Sequence, residues 1–312
     1  MTIRWLCMVM ALFFITPALA KAPNVVVSLK PVHGLIAGVM AGVGEPGLLL
    51  AAVADPHSHA LLPSQARSLA SAEVVFWVGA KLERYLQRPL SNIAAKAQIV
   101  TLLDNPELRI LPARRSGIWR PHDHEAGGED HEAGGDHDSD PHFWLDPRNA
   151  QAIVRQAVMV LRKVDPDNGH LYSQNGDGML YGLSVLEADL HRLLAPVRTL
   201  PYLVLHDAYQ YFEARFRTNG VGAIAISPDR KPGARRIAAI RQRLRQGNVR
   251  CLFQEAEFNS NIVATLTEGS DIRVATLDPI GLRVRPGLGA YGQVLRQLAG
   301  ALENCLSYSL GP

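Results

Sequence analysis

The sequence predicts an α/β protein of two lobes, each with a parallel sheet covered by helices, and three observations carry that prediction. Short apolar, β-branched runs alternate with helix-period segments in both halves of the chain, the pattern of parallel strands buried on both faces. One long helix-compatible stretch separates the halves. The mature chain, roughly 290 residues, is long enough for two domains of ordinary size.

Residues 1–20 open with Arg4, continue through the apolar run Trp5 to Ile15 and a helix-breaking Pro17, and close on Ala18-Leu19-Ala20. That order predicts a secretory signal peptide cleaved after Ala20, its apolar run too short to span a bilayer. Cys7 lies inside the run, without the small-residue-plus-cysteine pattern of a lipoprotein cleavage site. The expectation is a soluble, periplasmic protein.

The first lobe, 21–165, holds candidate strands at Asn24 to Leu29, Leu48 to Val53, Val74 to Val78 and Gln98 to Leu102. Gly42-Val43-Gly44-Glu45-Pro46-Gly47 satisfies the dinucleotide pattern G-x-G-x-x-G. It follows a helix and carries a proline where a helix should begin, so it reads as a turn. The stretch 166–196 reads as one connecting helix in which Leu180, Leu183, Leu186, Leu190 and Leu194 recur at helical spacing, its start softened by Gly176, Gly178 and Gly182. The second lobe, 197–312, holds candidate strands at Tyr202 to Leu205, Val221 to Ile226, Arg250 to Gln254 and Ile272 to Leu277.

Charge is uninformative: the formal +3 falls to +2 with loss of Arg4, and no basic face interleaved with aromatics suggests nucleic acid. Arg235, Arg236, Arg241, Arg243 and Arg245 read as the solvated side of one helix. A monomer is the expected state. Processing leaves two of the 3 cysteines, Cys251 and Cys305. Export makes a disulfide between them the default, with two buried thiols as the alternative. Such a bridge would stabilise the second half by ~4 kcal/mol on the chain-entropy account.

The densest chemistry lies at 121–147, which carries five of the 11 histidines in a Gly-rich acidic run before switching to the apolar phrase Pro141-His142-Phe143-Trp144-Leu145-Asp146-Pro147. Residues 121–140 cannot bury enough apolar surface to offset ordering, so they read as a mobile loop. Imidazole beside carboxylate suits zinc, and the near-repeat HEAGGED, HEAGGD at 124–136 preserves composition rather than shape. His122, His124, His131 and His137 read as a weak secondary site that gathers zinc. Deleting 122–138 is expected to lower zinc stoichiometry and leave one tight site.

Four phrases place potential ligands at element edges. They are Asp55-Pro56-His57-Ser58-His59, followed by Pro63-Ser64; Pro141 to Pro147, with Asp146 as N-cap and Pro147 as first helical residue; Leu205-His206-Asp207-Ala208-Tyr209; and Thr276-Leu277-Asp278-Pro279. Ligands in α/β sheets gather outside the carboxyl ends of strands, so side chains at these junctions can converge. Three imidazoles with one carboxylate or water make a tetrahedral zinc set.

In order and spacing these residues resemble the metal-binding proteins of ABC importers for transition metals, the cluster A-I or TroA-like family, and most closely its zinc-uptake branch, the ZnuA type. The resemblance spans the mature chain: the opening strand with Lys30-Pro31, Asp55-Pro56-His57, the acidic histidine loop, His142 to Leu145, Leu205 to Tyr209, Leu277-Asp278-Pro279 and the Cys251/Cys305 pair. It implies two four-stranded lobes, a rigid backbone helix and one metal in the interlobe cleft. It implies His57, His142 and His206 as ligands, with Asp278 or water completing the set, and histidine at 206 favours zinc over manganese. Pro56 stands where some zinc-branch members carry a glutamate proposed as an extra ligand, so that role is unfilled. His59 is an auxiliary contact or a surface residue, and Asp207 orients His206 or, the safer reading, caps the following helix.

The expected function is capture of Zn(II) in the periplasm and delivery to an ABC-transporter permease with its ATPase, with no bond made or broken. The ligand imidazoles must be neutral to bind, so affinity should fall as pH drops through ~6.5. The same fold could carry manganese or ferrous iron. From another class, an exported zinc hydrolase shares the three-histidine set, although H-E-x-x-H is absent and only Asp278 or Glu255 could serve as base. A zinc buffer without a transporter is a third reading.

Overall fold

The computed structural model describes residues 21–50, 56–57, 59–114, 139–225, 233–245, 249–255 and 261–307. The leader at 1–20 and His122, His124, His131 and His137 lie outside the described residues.

Two four-stranded parallel sheets form, each from one half of the chain. The first uses β1 (Val25–Val27), β2 (Gly47–Leu48), β3 (Val74–Trp77) and β4 (Gln98–Thr101) in the order β2-β1-β3-β4. The second uses β5 (Tyr202–His206), β6 (Gly220–Ala225), β7 (Cys251–Glu255) and β8 (Arg273–Leu277) in the order β6-β5-β7-β8. Every expected strand overlaps an observed one, although the second shares only Leu48 with β2 and its residues 51–53 lie outside the described residues, and the two α/β sheets match the predicted fold class. The inner strands β1, β3 and β5 are buried along their whole length, which is why they read as continuous Val, Phe and Leu runs.

The helices cover both faces. They are α1 (Lys30–Val39), α2 (Pro63–Ser71), α3 (Gln87–Asn92), α4 (Pro147–Val164), α5 (Gly169–Leu194), α6 (Gln210–Phe216), α7 (Ala234–Arg245), α8 (Asn261–Thr267) and α9 (Ala290–Leu306). Strand side chains alternate between layers. Val25 and Val27 face a core shared with Tyr202, Val204 and Phe253 of the second sheet, so one apolar cluster runs through both halves. Val26, Val75 and Trp77 pack in a satellite cluster behind the first sheet, and Leu203, Leu205 and Leu252 in another behind the second.

The connector is a short 3-10 turn, Pro166–Asn168, running into the 26-residue α5, which is about 39 Å long at 1.5 Å per residue. The glycines do not interrupt it. A Cβ on Gly176 would lie 2.5 Å from Cγ2 of Val158, so this glycine lets α5 approach α4 closely. Asn175 of α5 donates to the carbonyls of Val39 and Ala41 at 3.0 and 2.8 Å, satisfying the end of α1. The 42–47 segment is not a strand-to-helix junction: it opens in a turn, with Gly42 at φ +77, and ends on Gly47, the first residue of β2. Cys251 and Cys305 form a disulfide that ties β7 to α9 across 54 residues. Among the described residues no helix is long and apolar enough to cross a membrane.

Candidate metal centre

His206 is the last residue of β5, and Glu255 the last of β7, the strand beside it. Strand order reverses between β5 and β7, so these side chains straddle the crevice at the carboxyl edge where α/β sheets bind ligands. Glu255 Oε1 lies 2.6 Å from His206 Nδ1, and both residues are buried. A carboxylate at Nδ1 fixes the tautomer and makes Nε2 the basic nitrogen.

His142 is held differently, by its own neighbourhood. The 3-10 turn Phe143–Leu145 buries all three of its side chains, and Asp146 then caps α4 by accepting from the Arg148 amide at 2.9 Å, with Pro147 in the first turn. Arg215 donates twice to the Asp146 carboxylate, both at 2.7 Å. Trp144 Nε1 donates to the Pro279 carbonyl at 2.9 Å, and Tyr291 donates to the Trp144 carbonyl at 2.9 Å, so this turn is bolted to the second half of the chain. Two residues before His142, Asp140 Oδ1 accepts from the His142 amide at 2.9 Å and sits 2.7 Å from Nδ1.

His57, half-buried beyond β2, completes the group. Its ring centroid lies 5.5 Å from that of His142 and 6.1 Å from that of His206, and the last two are 5.4 Å apart. One ring nitrogen from each of the three lies within 4.8 Å of the others, close enough to hold one metal ion.

Asp278 lies outside that group. It follows β8, accepts from the Arg283 amide at 3.5 Å, and keeps Oδ1 buried with no hydrogen-bond partner. Lys30, at the start of α1, reaches the same loop, donating to the carbonyls of Gly281 and Leu282 at 2.7 and 3.0 Å. Burial lowers the Lys30 pKa and the Asp278 charge opposes that shift. His59 is apart from the cluster: Nε2 lies 3.0 Å from Gln65 Oε1 and its ring packs edge-on against Tyr85 at 5.1 Å.

Asp207 does not cap α6. The cap position is Tyr209, without a side-chain cap bond, while Asp207 accepts from Arg114 Nη1 at 2.9 Å. Nor does Asp207 orient His206, since Glu255 holds Nδ1. Sequence reasoning missed Asp140 and Arg114 and considered Glu255 only as a base. Asp140 had a local signal, an acid two residues before His142, whereas Glu255 depends on which strand neighbours β5.

Among the described residues, Asp140 and Glu255 stand behind two of the imidazoles. Burial raises Asp140 and Asp207 to about 7, opposed at Asp140 by the His142 amide and Arg114 and at Asp207 by Arg114. A divalent cation here would favour their ionised forms. Three imidazoles with buried acids behind them form a site for a borderline divalent ion rather than for an anion.

Residues 25–305 match the family model for ZnuA, the periplasmic zinc-uptake complex component A. The chain is 36% identical over 306 residues to the high-affinity zinc uptake system protein ZnuA of Brucella suis, covering 91% of this chain and 92% of that one. It is 36% identical over 317 residues to the protein of the same name from Paracoccus denitrificans, covering 93% and 94%. A crystal structure of ZnuA superposes with a TM-score of 0.75 at 19% identity, covering 91% of this chain and 99% of that one, a likeness of fold.

Proposed function

The chain belongs to the periplasmic zinc-uptake component A family, and on that premise we propose that it captures Zn(II) between its two halves and hands it to the membrane permease of an ABC importer. The observation that carries this reading is the convergence of His57, His142 and His206 on one point, two of them backed by buried carboxylates.

His142 and His206 coordinate through Nε2, because Nδ1 of each faces a carboxylate. His57 supplies the third nitrogen, and Asp278 or a water the fourth ligand. The unpartnered Oδ1 of Asp278 supports the carboxylate. Three imidazoles favour zinc over the harder manganese ion, which prefers oxygen. No bond is made or broken: Glu255 and Asp140, hydrogen-bonded to the imidazoles of His206 and His142, orient them. The leader at 1–20 is removed on export, and the protein acts as a soluble periplasmic monomer.

The test is a chelator-competed titration with zinc and manganese in equal concentration. Tight, stoichiometric zinc binding that disappears in His57→Ala/His142→Ala/His206→Ala supports the assignment. Persistence of that binding in the triple variant, or a manganese preference in the parent, overturns it.

A further inference from the structure

Arg114 lies outside the three-imidazole group, yet it stands where both walls of the site meet. Its side chain, 16% exposed, donates from Nη1 to Asp207 at 2.9 Å and from Nη2 to Glu213 at 2.6 Å, and those carboxylates are 7% and 2% exposed. Asp207 directly follows the ligand His206. The Arg114 charge also acts on Asp140, the carboxylate behind His142. One guanidinium therefore serves acids next to ligands from opposite walls.

The backbone that delivers Arg114 is itself pinned across the junction. Pro112 and Ser139 form an antiparallel bridge, and the Asp140 amide donates to the Leu111 carbonyl at 2.9 Å. Tyr211, on α6, takes the Leu111 amide at 2.9 Å and donates to the Asp140 carbonyl at 2.8 Å. Glu213, the far end of the pair, has room because residue 220 is glycine: a Cβ there would lie 2.0 Å from Glu213 Oε1. Tyr202 adds a hydroxyl donor to the same carboxylate at 3.3 Å. A half-buried, forked arginine held this way fixes distance and angle together, which a single flexible ammonium cannot do.

Resting on the zinc-site reading, we infer that Arg114 is a positioning residue for metal capture: it ties the His206–Asp207 turn to the Asp140–His142 segment and so sets the spacing between imidazoles from opposite walls. Without it the ligands remain, but the two walls are free to separate, and bound metal leaves faster.

The experiment compares the parent with Arg114→Gln, Arg114→Lys and the neutralised variant Arg114→Gln/Asp207→Asn/Glu213→Gln. Zinc affinity is read by chelator competition, zinc release by stopped-flow chelation, and stability by melting of the metal-free protein. We expect Arg114→Gln to bind zinc about 10- to 100-fold more weakly, the range for outer partners of a metal site, with most of the change in release. Arg114→Lys should recover little. The neutralised variant carries no uncompensated buried acid at this pair, so its melting should return toward the parent's while its zinc affinity stays low. Parental affinity in any folded Arg114→Gln variant overturns the inference, as does a neutralised variant in which stability and affinity recover together. The triple histidine variant is the separate control: tight zinc binding there refutes the site itself, whatever Arg114 does.

Discussion

The two sheets repeat one strand order but use the crevice at their carboxyl edges in opposite ways. In the second sheet, the crevice between β5 and β7 carries His206 with Glu255 behind it. In the first, the equivalent place between β1 and β3 is closed by Glu83, fully buried, whose Oε2 accepts from the Val78 amide at 2.8 Å. The first half therefore brings imidazoles from elsewhere: His57 from the segment after β2 and His142 from the 3-10 turn before α4. One topology yields a crevice bearing an imidazole in one half and a plugged one in the other. The difference lies in what a single carboxylate faces, an imidazole or a backbone amide.

That contrast can be broken at several points. The largest expected effect is on the second half alone, where the Cys251–Cys305 bridge closes a separation of 54 residues. Chain-entropy arithmetic assigns such a loop about 4 kcal/mol. Cys251→Ser/Cys305→Ser, or reduction, should lower the unfolding free energy by that order, and an unchanged value would show that β7 and α9 hold together without it.

Next is Asp146, which both caps α4 and receives two bonds from Arg215. Losing the cap costs about 1 kcal/mol and stranding a largely buried partner several more, so Asp146→Ala should cost about 3 kcal/mol in urea unfolding. A loss confined to the cap term would mean that Arg215 finds solvent or Glu187, already 3.6 Å from it.

Glu255→Gln sharpens the comparison at the site. It keeps shape and one hydrogen bond but removes the charge at Nδ1 of His206, so zinc affinity should fall roughly 10- to 100-fold while melting of the metal-free protein changes little. Asp140→Ala should lower both, because it removes the acceptor of the His142 amide together with the partner of Nδ1. Equal behaviour of the two variants would erase the distinction between a carboxylate supplied by a neighbouring strand and one supplied locally.

The smallest effect is a trend with pH at the plugged crevice. Burial pushes Glu83 up to about 7, against the pull of Ser28, Val78 and Gly79. A raised folded-state pKa favours the neutral form, so this group's contribution is complete below the unfolded value near 4.5 and is lost as pH rises through about 7. Glu83→Gln, neutral at every pH, should gain melting temperature relative to the parent between pH 5 and 8. Parallel profiles would contradict the assignment.

Local physics explains which features were legible in the sequence. The buried strands announced themselves because β1 is Val25-Val26-Val27 and β5 is Tyr202 to His206, apolar on both faces until the final histidine. Asp146 and Pro147 were readable as cap and first turn because those roles depend on adjacent residues. The softening expected from Gly176 did not occur, since its cost is met by close packing on Val158, a contact invisible without the fold. Glu255 lies 49 residues from His206, and Arg114 lies 93 from Asp207. Such partnerships are set by strand order and by the meeting of the two halves, which no local pattern encodes. The same reason misassigned Asp207, which has the composition of a cap but pairs across the junction.

The central claim is that one metal is held jointly by both walls. The most direct measurement is chelator-competed zinc titration of His142→Ala and His206→Ala side by side, each disabling one wall. The account predicts that both variants lose the tight site to a similar degree, by more than the roughly 10- to 100-fold expected for an outer partner. Retention of one tight zinc by either variant would place the metal on a single wall and contradict it.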